Sequence, residues 1–253
     1  PKLSLAYDVT SDFRAGMLVQ RAYNPGGTTL RFDTGQPDNF EAETLWDYEM
    51  FVRAKLGPVI AEANAFYYYM QNPQRARNII IRTPSNLPVG FSDLFNISRA
   101  RSYGIEVSLD WRASRTLSAA LALGLLRTRI LRAGGEFAVY GGNEFQRSPH
   151  FTGSSSLDWR PTKRLRLSGQ VRHNSAYFSD DLNVPTLKVG GSTTVNGRAE
   201  WATGKVSVFG YVRNLFDKFY FTQFSVPILP GRLPASSTLG DPRELGIGIE
   251  GQF

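Results

Sequence analysis

Histidine is the residue best suited to bind a metal in this sequence, and the chain contains 2 histidines, His150 and His173. They belong to different predicted hairpins, and no carboxylate accompanies either of them at the spacing of a metal site. Serine and acidic residues are plentiful, but no nucleophile elbow occurs, and Gly134-Gly135 lacks the strand-to-helix context of a phosphate-binding loop. The sequence therefore predicts no catalytic site, no metal site, no cofactor and no enzymatic activity.

Arginine and tyrosine in the long polar segments are the stronger candidates for binding. A guanidinium group attracts anions and stacks on aromatic rings, so these side chains suit an anionic, aryl-bearing ligand. Contact with an anionic lipid surface explains the same charges equally well. The ligand-binding candidates are Arg75, Arg77, Arg99, Arg101 and Tyr140.

The composition of the 253 residues favours β structure, because 13% are aromatic and the 24 glycines are spread through the chain. With no cysteine, neither a disulfide framework nor a thiolate metal site is possible. The net charge of +7 comes from scattered lysines and arginines without a basic run, which argues against a nucleic-acid partner. No apolar run reaches the roughly 20 residues of a spanning helix. The chain starts at Pro1 within a strand pattern, so we interpret it as a fragment.

Alternation of apolar and polar residues predicts an all-β antiparallel fold of about eleven strands. The clearest strand places Ile105, Val107 and Leu109 on one face. The segment from Leu117 to Arg127 has helix propensity, but it keeps a period of two and lies at hairpin spacing, so we predict a strand. Ile79 to Ile81 extend the fourth strand in this interpretation. The predicted strands cover residues 3–9, 17–21, 43–55, 59–67, 103–111, 117–127, 151–159, 165–171, 195–201, 206–213 and 245–253.

The predicted connections alternate strictly between short turns and long loops, which is typical of outer-membrane barrels. Trp111, Trp159 and Trp201 each end a strand just before a short turn, which predicts an aromatic girdle at the periplasmic interface of the membrane. Three core tryptophans near strand ends are the alternative interpretation. A propeller is another, because Leu-Asp-Trp-Arg occurs twice, but each period then holds two long strands instead of four short ones.

The polar face of the strands carries charges of both signs. A charge on the lipid face costs about 2 to 4 kcal/mol near the midplane, so in a barrel these side chains point inward, toward water or a polar plug. The solvated face of a soluble sheet explains them equally well. The residues are Glu106, Asp110, Arg166, Gln170, Arg172, Arg198, Glu200 and Arg213.

The C-terminal segment, YVRNLFDKFY at Tyr211 to Tyr220, a loop and a strand ending at Phe253, resembles the C-terminus of TonB-dependent outer-membrane receptors. AYNPGG at Ala22 to Gly27 and GIE at Gly104 to Glu106 resemble other parts of that barrel. The resemblance implies that residues 1–253 form the C-terminal part of a barrel of about 22 strands, without its plug domain and N-terminal strands. The final strand is the predicted assembly signal, through Leu245, Ile247, Ile249 and Phe253, and the predicted structural family motif is Asn214, Leu215, Phe216 and Asp217.

The resemblance also implies a function in the outer membrane of a Gram-negative bacterium. The expected activity is TonB-energised uptake of a large, scarce solute, most often a ferric siderophore, with vitamin B12, haem or oligosaccharide as other substrates. The expected partners are outer-membrane lipid and lipopolysaccharide, the TonB complex through the missing N-terminal region, and a siderophore-like solute. The alternatives are a passive porin or adhesin-like barrel and a soluble β-rich binding module.

Overall fold

The computed structural model describes residues 1–31, 34–82, 85–225 and 236–251. Two short 3₁₀ helices, Gly135–Tyr140 and Pro185–Leu187, lie in long loops. None of the described helices is long and apolar enough to cross a membrane. In chain order the strands are β1 (Lys2–Thr10), β2 (Phe13–Asn24), β3 (Gly27–Arg31), β4 (Gln36–Phe40), β5 (Glu43–Leu56), β6 (Val59–Gln71), β7 (Gln74–Arg82), β8 (Pro88–Asn96), β9 (Arg99–Trp111), β10 (Leu117–Arg132), β11 (Phe151–Trp159), β12 (Leu165–Asn174), β13 (Tyr177–Phe178), β14 (Lys188–Val189), β15 (Ser192–Thr203), β16 (Val206–Arg213), β17 (Phe221–Phe224), β18 (Ser237–Leu239) and β19 (Glu244–Gly251).

One 11-stranded antiparallel sheet forms the body of the chain, in the order β1-β2-β5-β6-β9-β10-β11-β12-β15-β16-β19. Each strand pairs with the next long strand in the sequence, so the topology is a meander. This confirms the predicted all-β antiparallel fold, and the predicted number of about eleven strands agrees with the main sheet. Strand β10 confirms the strand prediction for Leu117 to Arg127, because β9 and β11 pair with both of its edges and override its helix propensity.

Four small hairpins, β3–β4, β7–β8, β13–β14 and β17–β18, form separate two-stranded sheets in the long loops. The prediction that Ile79 to Ile81 extend the preceding strand is wrong, because these residues belong to β7, which pairs with β8. Strand β6 ends at Gln71 because Asn72 has a φ of 50° and Pro73 has no N–H to donate to the sheet.

Short turns and long loops alternate along the sheet, as predicted. The short connections, at residues 11–12, 57–58, 112–116, 160–164 and 204–205, define the short-turn end. Gly57 and Gly204 supply the positive φ values, 61° and 66°, that two of these turns require. The long loops, at residues 25–42, 72–98, 133–150, 175–191 and 214–243, define the long-loop end.

The two faces of the sheet differ in polarity. We call the face that carries Trp111, Trp159 and Trp201 the outward face, and the other the inner face. The outward face is apolar and open, and the side chains of Leu245, Ile247 and Ile249 illustrate this with exposed fractions of 73%, 90% and 76%. A contiguous apolar surface of this size is typical of a membrane-facing wall.

Strands β1 and β19 form the two edges of the sheet. In a meander of 11 antiparallel strands the first and last strands run in the same direction, so they cannot pair with each other antiparallel. An unpaired edge in lipid exposes N–H and C=O groups at a cost of several kcal/mol each. Closing this sheet into an antiparallel barrel therefore requires strands in addition to these eleven.

Candidate ligand site at the long-loop end

The inner face forms a concave, polar wall. A cleft of about 1030 Å³ lies against it and is lined by side chains from β1 to β12, including Arg14, Glu49, Glu106 and Arg172. Many of the inner charges are paired across strands. The pairs are Arg14–Asp8 at 3.6 Å, Arg53–Glu62 at 2.9 Å, Arg166–Asp158 at 2.6 Å, Arg198–Glu250 at 3.3 Å and Arg213–Glu244 at 3.0 Å.

The strand registers put the predicted polar residues on this inner face. Glu106 and Asp110 alternate with Trp111 in β9, and Glu200 pairs with Arg166 on the face opposite Trp201. The mixed signs and cross-strand pairing suit a wall that faces water or another polar domain. The barrel interpretation of these charges therefore agrees with the register.

A buried apolar cluster fastens the long loops to the inner face. Phe95 packs at 4.3 Å from the Phe137 ring centroid and 5.1 Å from that of Tyr140, while Ala100 and Ile130 contribute from the wall. The members are Phe95, Ile97, Ala100, Ile130, Tyr140 and Phe145, with Met70, Ala133 and Phe137 packed against them. The loops at this end are therefore packed structure with a core of their own.

Arg75 and Asp181 join two of these loops. Nε of Arg75 donates to Oδ2 of Asp181 at 2.8 Å, and the second guanidinium nitrogen donates to Oδ1 at 2.6 Å. The guanidinium carbon lies 4.6 Å from the centroid of the Phe145 ring. The backbone N–H of Gln146 also donates to Asp181, at 2.7 Å, so the carboxylate collects donors from two other loops.

A second set of hydrogen bonds surrounds Asn183, which has a φ of 56° that asparagine tolerates. Its side chain accepts a hydrogen bond from the N–H of Glu144 at 2.7 Å and donates one to the Glu144 carbonyl at 2.8 Å. The carboxylate of Glu144 lies 2.7 Å from Nε2 of His150. Beside this set, burial raises the pKa of the Asp180 carboxyl.

The predicted ligand-binding residues separate into two groups in the structure. Arg75 and Tyr140 lie within the loop assembly, where Tyr140 is 7% exposed. Arg99 and Arg101 lie on the outward face at the long-loop end of β9, in the same alternation as Tyr103. The side chain of Arg77 lies outside the described residues.

Asp181, Asn183 and Phe145 were missed by sequence reasoning. In the sequence they are ordinary loop residues, and no local pattern pairs Asp181 with an arginine 106 residues away. The two histidines take other partners: His150 contacts Glu144, and Nδ1 of His173 lies 2.7 Å from Oγ1 of Thr193. Within the described parts of the chain, no three His, Cys, Asp or Glu side chains are grouped to hold a metal ion.

Asn214 makes the predicted family motif a compact anchor for the last loop. It is 4% exposed and has a φ of 47°. Its Nδ2 donates to the carbonyls of Lys218 and Asp241 at 3.0 Å each, and its Oδ1 accepts from the N–H of Lys218 at 2.9 Å. Asp217 accepts a hydrogen bond from the N–H of Arg243 at 3.0 Å. These bonds tie the exit of β16 to the entry of β19.

The three tryptophans follow a regular stagger. Trp111 and Trp159 face β10 at Ala119 and Leu117, two residues apart. Trp159 and Trp201 face β12 at Leu167 and Leu165, offset by the same amount toward the short-turn end. Each tryptophan is therefore displaced from the previous one by about 7 Å along the strands and about 10 Å across them. The line through the three residues makes an angle of about 35° with the direction perpendicular to the strands. Barrel strands tilt by about 35 to 45°, so the stagger suits three residues at one height.

A second aromatic row lies toward the long-loop end of the outward face. The ring centroid of Tyr48 lies 6.3 Å from that of Trp46 and 6.4 Å from that of Tyr67. The ring centroid of Tyr67 lies 6.3 Å from that of Tyr103. Tyr103 precedes Trp111 by eight residues in β9, which is about 20 Å of height for a tilted strand. Two aromatic rows at this separation bracket an apolar band, as at the two interfaces of a membrane barrel.

Phe253, which was predicted as part of the assembly signal, lies outside the described residues.

The 11-stranded sheet matches a known family of membrane barrels. The family model for the "TonB dependent receptor-like, beta-barrel" domain matches residues 1–215. The chain belongs to the TonB-dependent receptor family. It is therefore an outer-membrane protein of a Gram-negative bacterium, and its family is one of transport receptors.

Known relatives of this receptor barrel include the pesticin receptors. Those of Yersinia pestis and Yersinia enterocolitica are each 26% identical to it over 227 residues, a match that covers 87% of this chain and 32% of the relative. The chain thus spans about a third of the length of these receptors.

Solved structures share the fold. The ferric yersiniabactin uptake receptor FyuA from Yersinia pestis aligns with a TM-score of 0.79 at 24% identity, covering 98% of this chain and 36% of that one. The siderophore receptor PiuA from Acinetobacter baumannii aligns with a TM-score of 0.74 at 13% identity, covering 98% and 35%. A structure described as the copper transporter OprC aligns with a TM-score of 0.73 at 12% identity, covering 100% and 39%. The fold is therefore common to receptors for different solutes.

Proposed function

We propose that residues 1–253 are the C-terminal part of the barrel of a receptor that imports a ferric siderophore with energy from TonB. The observation that carries the substrate class is the alignment with a structure described as a ferric yersiniabactin uptake receptor, with a TM-score of 0.79 at 24% identity. The 26% identity to pesticin receptors across 87% of the chain supports the receptor function. The plug domain and the coupling segment belong to the rest of the full-length parent, and we propose no enzymatic activity.

The solute would enter at the long-loop end, which faces the outside in outer-membrane barrels. There the buried cluster around Phe95 and Tyr140 holds the loops in a defined arrangement, and a pre-organised site loses less entropy on binding. We propose that Arg75 acts by positioning loops, because Asp181 occupies its guanidinium group. Arg77 remains a proposed solute contact, whereas Tyr140, which is 7% exposed, is proposed to support the site by holding the loops. Arg99 and Arg101 lie on the outward face and suit another anionic partner.

The proposed partners of the full-length parent are the TonB complex, a siderophore-like solute, and outer-membrane lipid with lipopolysaccharide. The TonB contact lies in the region upstream of this chain. Nucleic acid is not among the proposed partners, because the 29 lysines and arginines do not form a run in the sequence.

Transport by the full-length parent tests the proposal. We would express it in a Gram-negative strain that lacks its own siderophore receptors and measure uptake of radioactive iron supplied on a panel of siderophores. We expect uptake with at least one siderophore, abolished by deletion of tonB. A strain with an empty vector is the control.

Two other outcomes would favour the alternatives. Uptake that continues without tonB and does not saturate is expected of a passive porin. A full-length parent that is soluble in water without detergent would support a soluble binding module. TonB-dependent uptake of vitamin B12, haem or an oligosaccharide, with no uptake of iron, would change the substrate class and leave the receptor function intact.

A further inference from the structure

Five arginines lie together at the long-loop end of β9 and β10, on or beside the outward face. In the sheet register Arg101 lies directly opposite Arg129, and Arg99 lies opposite Arg132. Arg101 is half-buried and the other four are exposed. We call this group, Arg99, Arg101, Arg127, Arg129 and Arg132, the arginine cluster.

The arginine cluster has no counter-charge in the described residues, since none of its members forms an ion pair there with an acidic side chain. Like charges directly opposite each other across a sheet are destabilising. Nε of Arg101 is removed from solvent and has no hydrogen-bond partner. An unpaired buried donor of this kind costs free energy. An anion bound between the two strands would relieve both costs.

The height of the arginine cluster indicates where that anion comes from. Arg101 lies opposite Tyr69, and Arg127 lies opposite Tyr103, so the cluster adjoins the outer aromatic row. The guanidinium carbon of Arg101 is 5.6 Å from the centroid of the Tyr103 ring. Toward the membrane the neighbouring outward residues, Ile105 and Leu125, are apolar. Tyrosine and tryptophan rings occupy the headgroup level of a membrane, so the cluster lies at the level of lipid headgroups.

We propose that the arginine cluster binds the phosphate groups of lipopolysaccharide in the outer leaflet. The guanidinium fork matches phosphate oxygens, and opposed cross-strand side chains lie about 5 Å apart at Cβ, so two arginines can flank one phosphate. Phosphate binding gives Arg99 and Arg101 an outward role that is independent of the solute. The proposal rests on the outer-membrane location and is independent of which solute is imported.

Purified lipopolysaccharide is the probe, and the full-length parent in detergent is the protein. The test variant is Arg101→Gln with Arg129→Gln. The matched control is Arg112→Gln with Arg115→Gln, which removes the same charge from the turn at the other end of β9 and β10. We expect the test variant to bind about tenfold more weakly per arginine lost, equivalent to about 1.4 kcal/mol each, and the control to bind like the wild type. Equal affinities for the test variant and the wild type would overturn the proposal.

Dephosphorylated lipopolysaccharide and vesicles containing phosphatidylglycerol separate the possible anions. Removal of the phosphates should weaken wild-type binding at least to the level of the test variant. If the substitutions weaken only phosphatidylglycerol binding, the assignment to lipopolysaccharide is wrong. The unfolding temperature of the single variant Arg129→Gln, measured with and without lipopolysaccharide, gives a second test. Lipopolysaccharide should raise the unfolding temperature of the wild type more than that of this variant, and an equal increase would contradict the proposal.

Discussion

Arg75 and Asp181 form a two-point ion pair with N–O distances of 2.8 and 2.6 Å, although 106 residues separate them in the sequence. The side chain of Asp181 is 3% exposed and that of Arg75 is 19% exposed. Truncating one partner of a buried pair is costly, typically about 3 to 5 kcal/mol, because the other charge stays buried without compensation. This pair therefore couples the hairpin β7–β8 to the loop at residues 175–191.

Asp181→Asn should loosen the loops, because the amide leaves the Arg75 guanidinium without a carboxylate. We expect protease cleavage of the outer loops in intact cells carrying the full-length parent to rise by about tenfold or more. The double variant Arg75→Met with Asp181→Leu should be cleaved more slowly than Asp181→Asn, since it leaves no unpaired charge. Arg82→Gln, in the same hairpin, is the surface control. Wild-type cleavage of Asp181→Asn would contradict the coupling.

Asp180 should make the stability of its loop depend on pH. Burial raises its pKa, so the folded loop holds the proton more tightly than the unfolded chain. The stabilising contribution is present below the ordinary carboxylate range, about pH 3.9, and is lost as the pH rises through the raised folded pKa. Hydrogen exchange at residues 175–191, corrected for intrinsic rates, should accelerate over that range. Asp180→Asn should flatten the pH profile, and an unchanged profile would refute the assignment.

Substitutions at Asn214 should separate its hydrogen bonds from its backbone conformation. Asn214→Gly retains access to the φ of 47° and loses the side-chain bonds, whereas Asn214→Ala loses the bonds and adds strain of about 1 to 2 kcal/mol. We expect the fraction of heat-resistant folded barrel to fall in the order wild type, glycine variant, alanine variant. Phe216→Ser, at a neighbouring side chain that is 74% exposed, is the control. Equal folding of all variants would argue against an anchor.

Trp111, Trp159 and Trp201 should lie at one membrane depth, because their stagger matches the tilt of barrel strands. Fluorescence quenching by lipids labelled at defined depths, in variants of the full-length parent with one of the three retained and other tryptophans replaced by phenylalanine, measures each depth. All three should be quenched most strongly by labels near the short-turn interface. Shielding from every label would mean that these tryptophans face protein.

Phe253 should contribute to assembly, since in the sequence it continues the alternation of Leu245, Ile247 and Ile249, whose side chains are exposed on the outward face. Deletion of Phe253 in the full-length parent should lower the amount of receptor in the outer membrane. Deletion of Gly251, which keeps the terminal phenylalanine but shifts its register by one residue, should also impair assembly, because a one-residue shift moves a side chain to the other face. Wild-type amounts of receptor after the Phe253 deletion would count against an assembly signal.

The strands and their faces could be predicted from the sequence because a period of two is a local property. In β9 the alternation of Ile105, Val107 and Leu109 with Glu106 and Ser108 already specifies one apolar and one polar face. The same period identified β10 as a strand against its helix propensity. The prediction for Ile79 to Ile81 was wrong because β6 is interrupted at Asn72 and Pro73, and a short apolar run does not reveal which strand it will pair with.

The candidate sites at the long-loop end depended on contacts between distant residues. The sequence marks Arg75 and Arg101 alike as basic residues outside the clear apolar pattern. Only the tertiary structure separates them, because Arg75 meets Asp181 from another loop, whereas the register of β9 turns Arg101 outward against Arg129. Alternation along a strand depends on residues close together in the sequence, so the sequence by itself determined the strands of the sheet and their two faces. The partner of a charged side chain depends on which loops and strands lie beside it, and only folding of the whole sheet decides that.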